Sequence, residues 1–164
     1  MRNYLSPLLL LFCFTACAAP PQQSSSGLRE ALKTSPERFR TEKKEVNRPF
    51  LPVFSAVQEN ANRCLNTSVT AAPVSDGQPK MIVRYRSYAK KTSSMSAEVV
   101  LQSYGRADKE SPLQWNYVLV ADIEAIAADR TRVTISGPTI LFGDIFDAIF
   151  TWAAGKSRTC PSLP

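Results

Sequence analysis

Residues 113–136 read LQWNYVLVADIEAIAADRTRVTIS, and the period of this stretch decides the fold class. Leu113, Trp115, Tyr117, Leu119, Ala121 and Ile123 recur at every second position, with Gln114, Asn116, Asp122 and Glu124 between them. A period of two is that of a strand with one face on a core. Val118 and Val120 make the second face partly apolar. Asp129 and Arg130 interrupt the pattern and residues 131–136 resume it, which predicts two strands joined by a turn. Ser136-Gly137-Pro138 closes the second.

Working outward, residues 81–88 alternate Met81, Val83 and Tyr85 with Ile82, Arg84 and Arg86, and residues 97–104 form another strand. The segments 66–79, NTSVTAAPVSDGQP, before the first of these and 105–112, GRADKESP, after the second read as connections rich in turn formers, and residues 90–95 as the loop between them. A first edge strand is read over 40–46, a polar stretch without a strong period, stopped by Asn47-Arg48-Pro49. Pro49 then suits a first helical turn, and Phe50, Val53, Phe54, Val57, Ala61 and Cys64 recur at helical spacing. The last element, 140–154, carries the stripe Leu141, Phe142, Ile145, Phe146, Ile149 and Trp152 or Ala153. Gly155 follows as a helix stop, with Lys156 and Arg158 at the negative end. A membrane-lying helix would place cations on its polar face; this one places Asp144 and Asp147 there, so burial against the sheet is expected.

These elements predict an α+β domain: an antiparallel β-meander of four to five strands with two helices packed on one face, in the order β-α-β-β-β-β-α. Tyr85, Trp115 and Tyr117 read first as core; Trp115, Tyr117 and Phe146 read second as the wall of a ligand cavity under the last helix.

The chain opens differently. Arg2 precedes the run 8–14, LLLLFCF, and the small-residue end Thr15-Ala16-Cys17. That is a secretory leader layout, and the apolar run is far short of the ~20 residues that cross a bilayer. Phe14-Thr15-Ala16-Cys17 resembles the lipobox of bacterial lipoproteins, with Phe14 standing where an aliphatic residue is usual. Cys13 is the poorer candidate because bulky Phe12 precedes it. The resemblance implies cleavage after residue 16, acyl chains on Cys17 and stable anchoring in a lipid bilayer. With Ala18 rather than an Asp after that cysteine, the resemblance further implies, by analogy with enteric lipoprotein sorting, the outer membrane of a Gram-negative cell, facing the periplasm. Residues 17–38, beginning AAPPQQSSSG after Cys17, read as a flexible tether, which leaves 39–164 as a single domain. By element order and address this domain resembles the helix-grip domains of some periplasmic lipoproteins, including the outer-membrane assembly lipoprotein BamC. The resemblance assigns no residue a role.

With Cys17 acylated and Cys13 removed, Cys64 and Cys160 remain. In an oxidising compartment they are expected to form a disulfide, closing a loop of roughly one hundred residues and stabilising the fold by as much as ~4 to 5 kcal/mol. A zinc site or a redox pair would need histidine or closer spacing. The formal net charge of +6 loses Arg2 with the leader. The remaining cations cluster at Arg38, Arg40, Lys43, Lys44 and Arg48 and at Lys90-Lys91. A solvated face interrupted by Glu42 and Glu45 is the first reading; the polyanions at this address are lipid headgroups, lipopolysaccharide and peptidoglycan peptide carboxylates, not nucleic acid.

The chain has no histidine, which excludes Ser-His-Asp and Cys-His catalysis and His-ligated metals. Ser96, Ser103 and Lys90 have no Ser-x-x-Lys spacing. Asp144/Asp147 and Asp122/Glu124 read as exposed carboxylates, residues 137–143 lack the phosphate-loop ending, and Asn66-Thr67-Ser68 resembles a glycosylation acceptor that a bacterial chain leaves bare. No catalytic residue, metal or cofactor is expected. The expected function is a binding or scaffolding module of the cell envelope, partnered by the bilayer and by another envelope protein, with the carrier of a small apolar ligand as the alternative.

Overall fold

The computed structural model describes residues 23–71, 81–105, 112–138, 140, 142–156 and 159–164. The leader, Cys17, Leu141 and Arg158 lie outside the described residues. The elements run α1 (Ser25–Thr34), β1 (Phe39–Val46), α2 (Phe50–Cys64), β2 (Thr67–Ala71), β3 (Met81–Lys91), β4 (Ser96–Gly105), β5 (Gln114–Ala127), β6 (Arg130–Pro138) and α3 (Gly143–Ala153). All six strands form one antiparallel sheet in the order β1-β6-β5-β4-β3-β2. Strands β2 to β6 form the meander. β1 is carried to the far edge of the sheet, because α2 intervenes before β2 begins.

The sheet buries one face, here the inner face, under α2 and α3. Val99 and Leu101 of β4, Leu119, Ala121 and Ile123 of β5, and Val133 and Ile135 of β6 meet Val53, Val57 and Ala61 of α2 and Ile145, Phe146, Ile149 and Trp152 of α3. Each of these residues is 0 or 1% exposed. Asp144 and Asp147 face solvent, so the apolar stripe of α3 lies in the core, as its acidic polar face predicted. Phe146 reaches Gly137 of β6, where an added Cβ would lie 3.2 Å from the Val118 carbonyl and 3.4 Å from the Phe146 ring. Gly155 stops α3 at φ 74°, a left-handed conformation that glycine adopts without penalty. The Arg48 guanidinium donates to the Ala153 carbonyl at 2.7 Å, satisfying one of the helix's last acceptors.

Cys64 and Cys160 are disulfide-bonded, with their Cα atoms 5.1 Å apart. The bond joins the end of α2 to the tail beyond α3. The tail is held further by the Tyr85 hydroxyl, which donates to the Pro164 carbonyl at 2.9 Å, and by Leu163 against the core.

Three features differ from the sequence reading. Residues 67–71, read as part of a loop, are strand β2, which pairs with β3 and packs Val69 beside Val83 on the inner-face core. Residues 25–34, read as tether, are helix α1. The Ser24 hydroxyl accepts from the Gly27 backbone N–H at 2.9 Å to cap it, and Leu28 and Ala31 are buried. α1 lies on the outer face, opposite α2 and α3, with Leu28 packed on Val100 and Val120. Finally, β5 is not one uninterrupted alternation. Leu101 of β4 pairs with Leu119, but its neighbour Gln102 pairs with Tyr117, leaving Val118 as an extra residue. This β-bulge transfers Trp115 and Tyr117 to the outer face.

Removing most of a fully buried Phe side chain leaves a cavity that packed neighbours fill only in part. Phe146→Ala is therefore expected to cost ~3 to 5 kcal/mol of unfolding free energy. Guanidinium unfolding followed by circular dichroism measures this; a loss below ~1 kcal/mol contradicts the packing described.

Candidate functional site

The bulge arranges the outer face into four rows that cross β3, β4 and β5: Arg84, Tyr104 and Trp115; Arg86, Gln102 and Tyr117; Tyr88, Val100 and Val120; and Lys90, Glu98 and Asp122. α1 covers the last two rows where they cross β4 and β5, leaving Lys90 of β3 exposed. Leu28 is completely buried over Val100 and Val120, and Arg29 bridges two carboxylates, at 2.8 Å to Glu98 Oε2 and 2.6 Å to Asp122 Oδ1.

This ion-pair cluster is strained by burial. Glu98 is 4% exposed, and its Oε1 has no hydrogen-bond partner among the described residues. Burial alone would lower the pKa of the Arg29 guanidinium, but its hydrogen bonds to Glu98 and Asp122 leave it raised. At Asp122 burial raises the carboxyl above its ordinary value, and Arg29 opposes this only in part. With its folded pKa raised, this carboxyl favours the folded state fully below the unfolded pKa of ~3.9, and that contribution fades as pH rises through the folded value. The pair thus specifies where α1 sits more than it adds stability.

The first two rows are not covered by any described element. Arg86 is exposed; it donates from Nε to the buried Gln102 Oε1 at 2.7 Å, and its guanidinium lies 4.1 Å from the centroid of the Trp115 ring. Trp115 in turn packs on Tyr104, with ring centroids 5.2 Å apart. Tyr88 and Tyr117, hydroxyl to hydroxyl, form the border with the α1-covered rows. Burial and the Tyr117 hydrogen bond push the Tyr88 hydroxyl well above its ordinary pKa, so it stays neutral at physiological pH. Beside the first row lies a half-open cleft of about 620 Å³, lined by Ile82, Val83, Arg84, Ser103, Tyr104, Gly105 and Leu113.

The expected ligand wall is thereby divided. Phe146 is in the inner core, while Trp115 and Tyr117 are across the sheet from it, so the three do not line one cavity. The disulfide pair is joined as expected. Arg29 and Glu98 were not singled out from sequence, although a lone acid between Ala97 and Val99 was the available signal. Among the described residues there is no cluster of three potential metal ligands, and no helix is long and apolar enough to cross a membrane.

No family model matches the sequence, and no curated protein matches it. Solved structures show loose likenesses of shape. The lipid transfer and protein localization domain of human StarD13 is 13% identical with a TM-score of 0.40, covering 71% of this chain and 75% of its own. The hypothetical protein jhp0584 of Helicobacter pylori is 9% identical with a TM-score of 0.43, covering 71% and 86%.

Removing Arg29 alone leaves two neighbouring carboxylates beneath α1 without their cation. Arg29→Met is expected to expose residues 25–34 to amide hydrogen exchange at least tenfold faster while β4 and β5 stay protected. Adding Glu98→Gln and Asp122→Asn to that variant should restore most of the protection. Unchanged exchange in Arg29→Met means that Leu28 alone holds the helix.

Proposed function

We propose that this chain is an outer-membrane lipoprotein facing the periplasm, anchored through acyl chains on Cys17, and that its domain is a non-catalytic binding module of the cell envelope. The leader pattern supports the address, and a disulfide between Cys64 and Cys160 suits an oxidising compartment. One observation carries the binding role. The inner face is filled by α2 and α3, whereas half of the outer face presents Arg84, Arg86, Tyr104 and Trp115 under no described element. A surface with an oriented arginine on a tryptophan, bordered by an apolar cleft, is suited to recognition.

The cleft of about 620 Å³ favours a second reading, the carriage of a small apolar ligand. In that reading the ligand sits beside Tyr104 and Leu113 on the outer face. The space between sheet and α3 is taken by Ile145, Phe146 and Ile149, all 0% exposed.

Cys17→Ser is expected to abolish palmitate labelling and move the protein from the membrane to the soluble fraction. A photo-crosslinking amino acid at position 86 should yield an adduct in intact envelopes, with protein or with lipid. Absence of any adduct there, with adducts at a control position on α2, contradicts the assignment of the binding surface. A small apolar molecule retained through purification, with no adduct formed, favours the carrier.

A further inference from the structure

We infer that the uncovered end of the outer face is a docking surface for the anionic lipid headgroups of the same bilayer that holds the anchor. The inference rests on the lipid-anchored reading above and names what that surface binds.

Chain length places this surface near the membrane. The Gln23 side chain donates to Gln114 Oε1 at 3.2 Å, immediately beside Trp115. Gln23 is only six positions along the chain from Cys17, and six extended steps span at most ~20 Å. An acylated Cys17 therefore holds the start of β5 within one short stretch of chain from the headgroups. The opposite face, covered by α2 and α3, is on the far side of the sheet.

The chemistry at that end fits a lipid surface. Arg84 and Arg86 project from one face of β3, two residues apart, and neither has a carboxylate partner among the described residues. Among the described residues, the outer-face acids Glu98 of β4 and Asp122 of β5 are already engaged by Arg29. Cations kept free beside neutralised acids leave this end of the sheet positive, and each such residue near an anionic leaflet attracts it measurably. Trp115 and Tyr104 have the amphipathic rings that settle at the headgroup level. Ile82 and Leu113, exposed by 62% and 53%, flank the cleft and are placed to enter the interface. Solvent-facing apolar side chains are ordinary singly; two at one cleft, bordered by free arginines and a Trp-Tyr pair, make a patch.

The test uses the mature chain from residue 17 with Cys17→Ser, so that no acyl chain contributes. Sedimentation with vesicles of phosphatidylcholine containing phosphatidylglycerol should show salt-sensitive binding, and vesicles of phosphatidylcholine alone should bind far less. Arg84→Gln with Arg86→Gln should reduce partitioning by roughly thirty-fold, about fivefold per cation, with an unchanged circular dichroism spectrum. Leu113→Asp should reduce it as well. In a Trp152→Phe background, brominated lipid should quench Trp115. Equal binding to both vesicle types, no binding to either, or loss of binding on Lys43→Gln with Lys44→Gln but not on the Arg84 and Arg86 changes would overturn the inference. Palmitate labelling of Cys17 is read separately, so failure of the anchor and failure of the surface are distinguishable.

Discussion

One extra residue in β5 sets the arrangement of the whole molecule. Without Val118 as a bulge, the alternation running from Leu113 to Ile123 would put Trp115 and Tyr117 on the same face as Leu119, Ala121 and Ile123. Two large aromatic rings would then compete with Phe146 and Tyr85 for the space beneath α2 and α3. A shift of one residue sends every following side chain to the other face. The bulge therefore keeps the inner face small enough for α3 to lie flat on it. Gly137 on the neighbouring strand completes the accommodation, because a side chain there would meet the Val118 carbonyl and the Phe146 ring.

The aromatic residues displaced by the bulge give the outer face its character. It is divided between a half that α1 covers and a half that no described element covers. α1 is a helix of 10 residues with two buried side chains, Leu28 and Ala31, and so short a helix is marginal without its tertiary contacts. Its position depends on Leu28 entering the Val100 and Val120 strip and on Arg29 meeting Glu98 and Asp122. The same docking brings residue 23 to the start of β5, so the placement of α1 and the orientation of the uncovered half are linked through one short segment.

Much of this fold was legible in the sequence. β3, β4, β5 and β6 show their alternation, α2 and α3 their apolar stripes, and Gly155 its helix stop. The disulfide was expected from the two cysteines that the lipobox-like leader leaves over. The bulge was hidden because Val118 and Val120 satisfy either face, so the pattern fits both registers equally well. β2 was hidden by its length: five residues, TSVTA, lie among turn formers and gain their strand character from pairing with β3. α1 was hidden because its Ser-rich start resembles a linker and only two apolar residues mark its buried side. Glu98 is the most informative missed residue. Its burial depends on Arg29, whose helix was read as tether.

The bulge places the two tryptophans on opposite sides of the sheet, Trp115 partly open beneath Arg86 and Trp152 only 1% exposed in the core. Acrylamide and iodide quenching of the single-tryptophan variants Trp152→Phe and Trp115→Phe separates them. The fluorescence of Trp115 is expected to be quenched by both agents, iodide most strongly because of the neighbouring arginines, while Trp152 emits at shorter wavelength and resists iodide. Equal protection of Trp115 and Trp152 would contradict this placement, since both rings would then lie in one core and β5 would run without its bulge.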